Sequence, residues 1–344
     1  MIFMKTLLTC HHSLSKWSGS NLSRNARITF QKFSTSPIKQ VRSKIQGAKR
    51  KLDSFEPQID GLIIDTSSLD GSKLWKPFIF TAVFSTTSLA TAAIWEFENI
   101  HKKRRQIKDW LHHSRRKYGS MRSDVNKWWN NLTEGERIFA PLCLLNIIVF
   151  LAWKLPAFQP LMVKYFCSNP AAKNVCWPMV LSTFSHYSAM HIFANMYVLH
   201  SFSSGCVSNM GKEQFLGFYL AAGAIASFAS YVHKVLINRP GLSLGASGAI
   251  MGVLGYCCTR FPDLELNIIF LPFFVFKASA AIKFIMGIDA LGILLGWRFF
   301  DHAAHLGGAL FGVFWSAYGS AYVWNKRGPV VETWYKFRKA TFSD

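Results

Sequence analysis

Long apolar runs without charged side chains alternate with short polar connections along most of the chain. A membrane-spanning helix needs about 20 apolar residues, because each residue adds about 1.5 Å and the hydrocarbon core is about 30 Å thick. Stretches that meet this requirement in whole or in part cover residues 78–95, 138–153, 174–211, 215–232, 240–259, 278–297 and 302–325. The pattern predicts an all-α polytopic membrane protein, with one leading helix followed by six (a 1+6 arrangement). Residues 266–276 are also apolar but contain Pro272, so we expect them to lead into a crossing rather than to make one.

The composition agrees with a membrane protein. Of the 344 residues, 50% are hydrophobic and only 17% are charged, against about 25% charged in an average soluble domain. This amount of apolar side chain excludes intrinsic disorder for most of the chain. The long uncharged runs also argue against a simple soluble enzyme.

The net charge of +21 is concentrated at the N-terminus. Residues 1–52 contain eleven Lys and Arg but no Asp or Glu, and they are rich in Ser. Such a composition is typical of a mitochondrial targeting presequence, with a disordered basic tail as the alternative. A nucleic-acid-binding surface is not predicted, because that would place basic residues on a folded surface among aromatic side chains.

The remaining segments follow from the charge pattern. We expect the presequence over 1–52, an acidic segment over 53–76, the leading transmembrane helix over 77–96, a basic linker over 97–137, the six-helix core over 138–325 and a C-terminal tail over 326–344. The positive-inside rule places the basic linker in the matrix, whereas a cleaved import signal delivers the residues that follow it there first. Both orientations therefore stay open.

The seven cysteines form no CxxC pair and have no zinc-type spacing. Most lie within apolar runs, where free Cys packs as a small hydrophobic side chain. Cys167 and Cys176 share one polar connection, and whether they pair is left open by their spacing.

Three groups of polar residues lie inside the apolar runs, where reactive side chains are costly and are therefore candidates for function. The first is Gly-Ala-Ser-Gly at 245–248, at the predicted start of a helix. Glycine permits an unusual turn there, and free backbone N–H groups face any developing negative charge, which suits Ser247 as a nucleophile. Alternatively, Gly248, Gly252 and Gly255 only allow close helix packing.

The second group opens the last apolar run. His305 lies on a stripe with Gly308 and Gly312, where another backbone can approach closely, so it suits a base for a serine hydroxyl. His302 follows Asp301 at the expected membrane edge, and we expect it to be hydrated and dispensable. For either histidine, a hydrogen bond to a backbone carbonyl is the alternative.

The third group is His191 and Asn195, which are four residues apart and therefore lie on one face of a helix. Donors held in a low-dielectric site stabilise an oxyanion. Interhelical hydrogen bonding without a catalytic role is the competing interpretation.

In chain order, H-x-x-x-N, G-x-S-G and A-H-x-x-G-x-x-x-G on three membrane helices resemble the rhomboid intramembrane serine proteases over residues 138–325. The presequence and leading helix are similar to the mitochondrial branch of that family. The resemblance implies that Ser247 is the nucleophile and His305 the general base, in a dyad without an acid. It also implies oxyanion or substrate binding by His191, Asn195 and Gly245, with the backbone N–H of the serine.

The resemblance further implies a multi-pass protein of the mitochondrial inner membrane that uses no metal or cofactor. Its partners would be the lipid bilayer and single-pass membrane substrates with helix-destabilising residues near the cleavage site, with inner-membrane protease or scaffold proteins as further partners. Roles in mitophagy, inner-membrane dynamics and apoptosis would follow. Two positions depart from many bacterial relatives: Met251 replaces an aromatic residue expected under the base, and Cys176-Trp177-Pro178 replaces a Trp-Arg pair in the first loop.

Two other functions are compatible with intramembrane polar residues. A catalytically inactive rhomboid-like protein would bind and escort membrane clients, but such proteins lack the serine or the histidine. A transporter would use Lys283 and Asp289 as a relay, but no inverted repeat is visible between the halves. Asp301, one turn before His305, is more simply an acid at a helix N-terminus than a third catalytic residue.

Overall fold

The computed structural model describes residues 69–112, 120–268 and 271–341. The expected presequence at 1–52 and most of the expected acidic segment lie outside the described residues. The other segments are described at least in part.

The described residues are mostly helical, as the apolar runs predicted. In chain order the main helices are α1 (Trp75–His112), α2 (Ser120–Asn131), α3 (Glu134–Trp153), α4 (Gln159–Phe166), α5 (Cys176–Leu181), α6 (Ala189–Met210), α7 (Lys212–Leu236), α8 (Ser247–Arg260), α9 (Ala278–Leu295), α10 (His302–Phe314) and α11 (Gly328–Thr341). After α10 the chain continues through a π-helical turn, Trp315–Gly319, and a short helix, Ser320–Tyr322.

Two strands between α8 and α9 correct the all-α expectation. β1 (Glu265–Ile268) pairs antiparallel with β2 (Leu271–Lys277), with Glu265 opposite Lys277. The segment is rich in aromatic and branched side chains, which favour strands, and Pro272 removes a backbone donor that a helix would need. The hairpin leads directly into α9, so the segment is not itself a helical crossing.

Among the described residues, four helices are long and apolar enough to cross a bilayer: Gly71–Ile107, Glu134–Trp153, Lys212–Leu236 and Ala278–Leu295. The α8 helix, with 14 residues, rises only about 21 Å, less than the hydrocarbon thickness. A membrane protein with several apolar helices is therefore confirmed, while the 1+6 count stays a prediction.

At the centre of the bundle, helices α7, α8 and α10 contact one another at glycine residues. An added Cβ on Gly252 of α8 would lie 2.8 Å from the Cβ of Ala222 on α7. On α10, Gly308 lies against the carbonyl of Gly248 and Gly312 against that of Gly252. The backbones of α8 and α10 are therefore in direct contact, and only glycine fits at these crossing points.

The leading helix is longer than expected. It continues into the stretch taken as a linker, which is helical over 97–112 and 120–131. The C-terminal tail also contains a helix, α11, which packs against α1. Two ion pairs join this end of the chain to α1, Arg327 with Glu96 at 2.6 Å and Arg338 with Glu98 at 3.0 Å.

Two cysteines that were expected to be free thiols form a disulfide. Cys167 and Cys176 are both free thiols. Cys206 on α6 and Cys257 on α8 are bonded as a disulfide, with Cα atoms 6.1 Å apart. Both were expected to pack as small hydrophobic side chains, and they are buried. Their spacing of 51 residues carried no sign of the bond.

Candidate active site

Ser247 and His305, 58 residues apart in sequence, meet at the centre of the bundle. Ser247 is the first residue of α8, and its Oγ lies 2.8 Å from Nε2 of His305 on α10. Both side chains line a cavity of about 480 Å³, together with His191. The geometry is that of a hydroxyl donating a hydrogen bond to an imidazole nitrogen, as a nucleophile–base pair requires.

The turn before Ser247 depends on Gly245. Its φ of +128° is a conformation that L side chains rarely adopt. An added Cβ there would also lie 2.8 Å from Cε1 of His191, so the imidazole of His191 packs directly over the turn. The N–H of Gly245 donates to the carbonyl of Ser182 at 2.9 Å, which anchors the turn. Gly245 therefore brings α6 and the start of α8 together.

Asn195 lies one turn along α6 from His191, as the four-residue spacing predicted. Its Nδ2 donates to Nε2 of His186 at 2.9 Å, and the N–H of Ala246 donates to the same nitrogen at 3.3 Å. Because both partners are donors, this nitrogen is the acceptor of a neutral imidazole. Asn195 therefore reaches the turn before Ser247 through His186, a fully buried residue to which the sequence analysis assigned no role.

The expectation that His302 is hydrated was wrong, while its dispensability stays a prediction. It is only 5% exposed, and its Nδ1 lies 2.7 Å from Oδ1 of Asp289 on α9. The helix α9 ends at Leu295, Gly296 caps it in a left-handed conformation with φ +66°, and the chain returns so that α10 starts beside α9. The start of α10 is thereby covered, and His302 is not at a hydrated edge.

The same arrangement brings an acid near the dyad. Oδ1 of Asp289 lies 3.5 Å from Nδ1 of His305. The catalytic dyad of Ser247 and His305 without an acid stays a prediction. Asp289 is buried, whereas Lys283 on the same helix is exposed, so these two side chains lie in different environments. Asp289 was noticed in sequence as a charge inside an apolar run, but the pattern did not indicate its partners.

Asp301 caps α10, as expected. Its Oδ1 accepts the N–H of Ala304 at 3.1 Å, and its Oδ2 accepts hydrogen bonds from the hydroxyls of Ser230 and Ser243, each at 2.5 Å. Burial raises the pKa of Asp301, but the Lys234 ammonium at 3.8 Å and these hydrogen bonds outweigh it, so the pKa lies below its usual value. The cluster ties the loop before α8 to α7 and α10.

Comparison with known proteins identifies the family. A family model described as the Rhomboid domain matches residues 173–322. The chain is 47% identical over 298 residues to "Presenilin-associated rhomboid-like protein, mitochondrial" of Homo sapiens, covering 85% of this chain and 79% of that protein. The chain belongs to the rhomboid family. It is also 43% identical over 291 residues to "Presenilin-associated rhomboid-like protein A, mitochondrial" of Danio rerio, covering 77% of this chain and 76% of that protein.

A more distant relative is named for an activity. Over 146 residues the chain is 30% identical to "Rhomboid protease GluP" of Bacillus subtilis, covering 42% of this chain and 26% of that protein. The mitochondrial relatives and the apolar helices together indicate a mitochondrial membrane protein.

The residues of the candidate site all fall within the matched rhomboid domain, 173–322. They are His191 and Asn195 on α6, Gly245 and Ser247 at the start of α8, Asp289 on α9, and His302 and His305 on α10. Among the described residues, no group of three or more His, Cys, Asp or Glu side chains is arranged to hold a metal ion.

Proposed function

We propose that this rhomboid protein is an intramembrane serine endopeptidase of the mitochondrial inner membrane that cleaves single-pass membrane proteins. The observation that carries the proposal is the 2.8 Å contact between Ser247 Oγ and His305 Nε2, which both line the same cavity. A serine hydroxyl is a weak nucleophile at neutral pH, and an adjacent base is the usual means of activating it.

In the proposed reaction, His305 Nε2 takes the hydroxyl proton as Ser247 Oγ attacks the peptide carbonyl carbon. The tetrahedral intermediate then collapses, the C–N bond breaks, and His305 returns the proton to the leaving amine. The acyl group stays on Oγ as an ester. A water molecule, deprotonated by the same imidazole, attacks that ester and releases the new carboxylate, which restores the serine hydroxyl.

The proposed oxyanion site lies beside the serine. Ser247 begins α8, and the N–H groups in the first turn of a helix have no intrahelical acceptor, so the Ser247 N–H is free to bind a negative oxygen. The ring of His191, which packs over Gly245, provides a side-chain donor on the same side. Asn195 supports the turn through His186, so its role in the proposal is to hold the donors rather than to contact the substrate.

The test is cleavage by purified full-length protein in detergent. The substrate is a single-pass membrane protein with a helix-breaking residue near the middle of its span. We expect cleavage by the wild type and none by Ser247→Ala or His305→Ala. Ser201→Ala is the matched control, because Ser201 is exposed on α6 and bonds only its own helix, to the carbonyl of Tyr197.

A fluorophosphonate probe provides an independent measurement, because it labels only an activated serine. Labelling that maps to Ser247 and disappears in His305→Ala supports the proposal. Cleavage that persists in Ser247→Ala would refute it. Binding of the substrate without cleavage or labelling by the wild type would favour the escort function instead.

We also propose roles in mitophagy, inner-membrane dynamics and apoptosis, which the resemblance to the mitochondrial rhomboids implies. The words "presenilin-associated" in the name of the human relative support membrane proteins as further partners.

A further inference from the structure

Asp289 is an ionisable residue in the otherwise apolar half of α9 that ends at Leu295. It is only 4% exposed. A carboxylate removed from water in this way is costly unless charged or hydrogen-bonding partners compensate it, so its partners indicate its role.

The contacts of Asp289 lead to the candidate nucleophile. Its Oδ1 lies 2.7 Å from Nδ1 of His302 and 3.5 Å from Nδ1 of His305. The other ring nitrogen of His305, Nε2, contacts Ser247 Oγ at 2.8 Å. Serine, imidazole and carboxylate therefore follow one another in that order.

Glycine at position 292 leaves space for the His302 ring beside Asp289. Gly292 lies one turn after Asp289, and an added Cβ there would lie 2.6–2.7 Å from three atoms of the His302 ring. Glycine at 292 thus makes room for His302 beside Asp289. His302 and His305, three residues apart at the start of α10, face the carboxylate together. Oδ2 of Asp289 has no hydrogen-bond partner among the described residues, so the carboxylate retains the capacity to accept another hydrogen bond.

We infer that Asp289 is a positioning residue for His305, an inference that rests on the proposed protease function. In the substrate complex the carboxylate accepts the Nδ1–H of His305, which leaves Nε2 unprotonated and ready to take the Ser247 proton. When that proton arrives, the negative charge stabilises the imidazolium. His302 donates its own Nδ1–H to Asp289 and holds it in place.

The 3.5 Å distance between Asp289 Oδ1 and His305 Nδ1 is an ion-pair distance, longer than the usual N–H···O hydrogen bond of about 2.7–3.2 Å. Such contacts tighten when substrate is bound and charge develops on the imidazole. In a purely structural role, Asp289 and His302 only join α9 to α10. That role requires the hydrogen bond between Asp289 and His302 but not the negative charge of Asp289, so it makes a different prediction.

The decisive variant is therefore Asp289→Asn, which keeps the shape and removes the charge. We expect kcat to fall about 10²-fold, with KM and melting temperature close to wild type. The loss is smaller than the roughly 10⁴-fold seen for the corresponding change in soluble serine proteases, because the contact is longer. Asp289→Glu, which restores a carboxylate, should have a kcat at least tenfold higher than that of Asp289→Asn. Lys283→Gln, at an exposed position on the same helix, is the control and should keep wild-type kcat.

Two results would overturn the inference. One is a kcat for Asp289→Asn equal to that of the wild type. The other is an equal loss of kcat and of melting temperature in Asp289→Asn and Asp289→Glu, because that indicates packing alone. If the wild type itself cleaves nothing, the protease function fails and the inference fails with it. If the wild type cleaves and Asp289→Asn cleaves equally fast, only the role of Asp289 is refuted.

Discussion

The close contact between α8 and α10 makes Gly308→Ala the sharpest test of how the fold assembles the Ser247–His305 pair. Gly308 lies one turn after His305, and it packs against Gly248, the residue next to Ser247. An added Cβ would overlap the Gly248 carbonyl oxygen and would lie 3.0 Å from its carbonyl carbon. Both atoms belong to backbone, so no side-chain rotation relieves the overlap.

The size of the effect follows from these distances. Non-bonded carbon atoms pack best at about 3.5–4.0 Å, so α8 and α10 must separate by roughly 1 Å. The same shift at the dyad would stretch the Ser247–His305 contact from 2.8 Å to roughly 3.8 Å, beyond hydrogen-bonding distance. A misplacement of about 1 Å costs on the order of 10² in rate, and overpacking costs about 1–3 kcal/mol of stability.

The assay is the rate of fluorophosphonate labelling of Ser247, measured together with the melting temperature in detergent. Gly287→Ala is the matched control, because an added Cβ at Gly287 on α9 has nothing within 4 Å. We expect the control to label like the wild type and Gly308→Ala to label about 10²-fold more slowly. Wild-type labelling and melting by Gly308→Ala would refute the claim that the two backbones are in contact.

Three further predictions use other parts of the molecule. His191→Ala should lower kcat by up to about 10²–10³-fold and Asn195→Ala by less, because only His191 is a direct donor. If both variants cleave at the wild-type rate, the two residues have only a packing role. Asp301→Ala should destabilise the protein by about 1 kcal/mol through the lost helix cap. The folded-state pKa of Asp301 is lowered, so the ionised carboxylate stabilises the protein at pH values above the usual Asp pKa of about 4. This contribution is lost as the pH falls through the lowered pKa. The melting temperatures of the wild type and Asp301→Ala should therefore converge in acid. A fusion of residues 1–52 to a soluble reporter should enter mitochondria, and cytosolic retention would contradict the presequence.

The apolar runs determined much of the fold. Most of the long uncharged runs form helices, because a backbone in lipid must satisfy its hydrogen bonds internally. The three motifs identified Ser247 and His305 as partners, because glycine at 248, 252, 308 and 312 lets the backbones of their helices come into contact. Residues 266–276 were correctly excluded as a crossing, but the hairpin they form was not predicted.

Only the tertiary structure decided which polar residues surround the Ser247–His305 pair. His302 was placed at a hydrated edge because its neighbours along the chain are polar, yet α9 covers it and supplies Asp289 as a partner at 2.7 Å. In the same way, Asn195 shares a helical face with His191 but bonds His186 at the turn before α8. Periodicity reports which residues share a face of one helix. The contact partner depends on which other helix packs on that face, and this is fixed by contacts between residues far apart in the sequence.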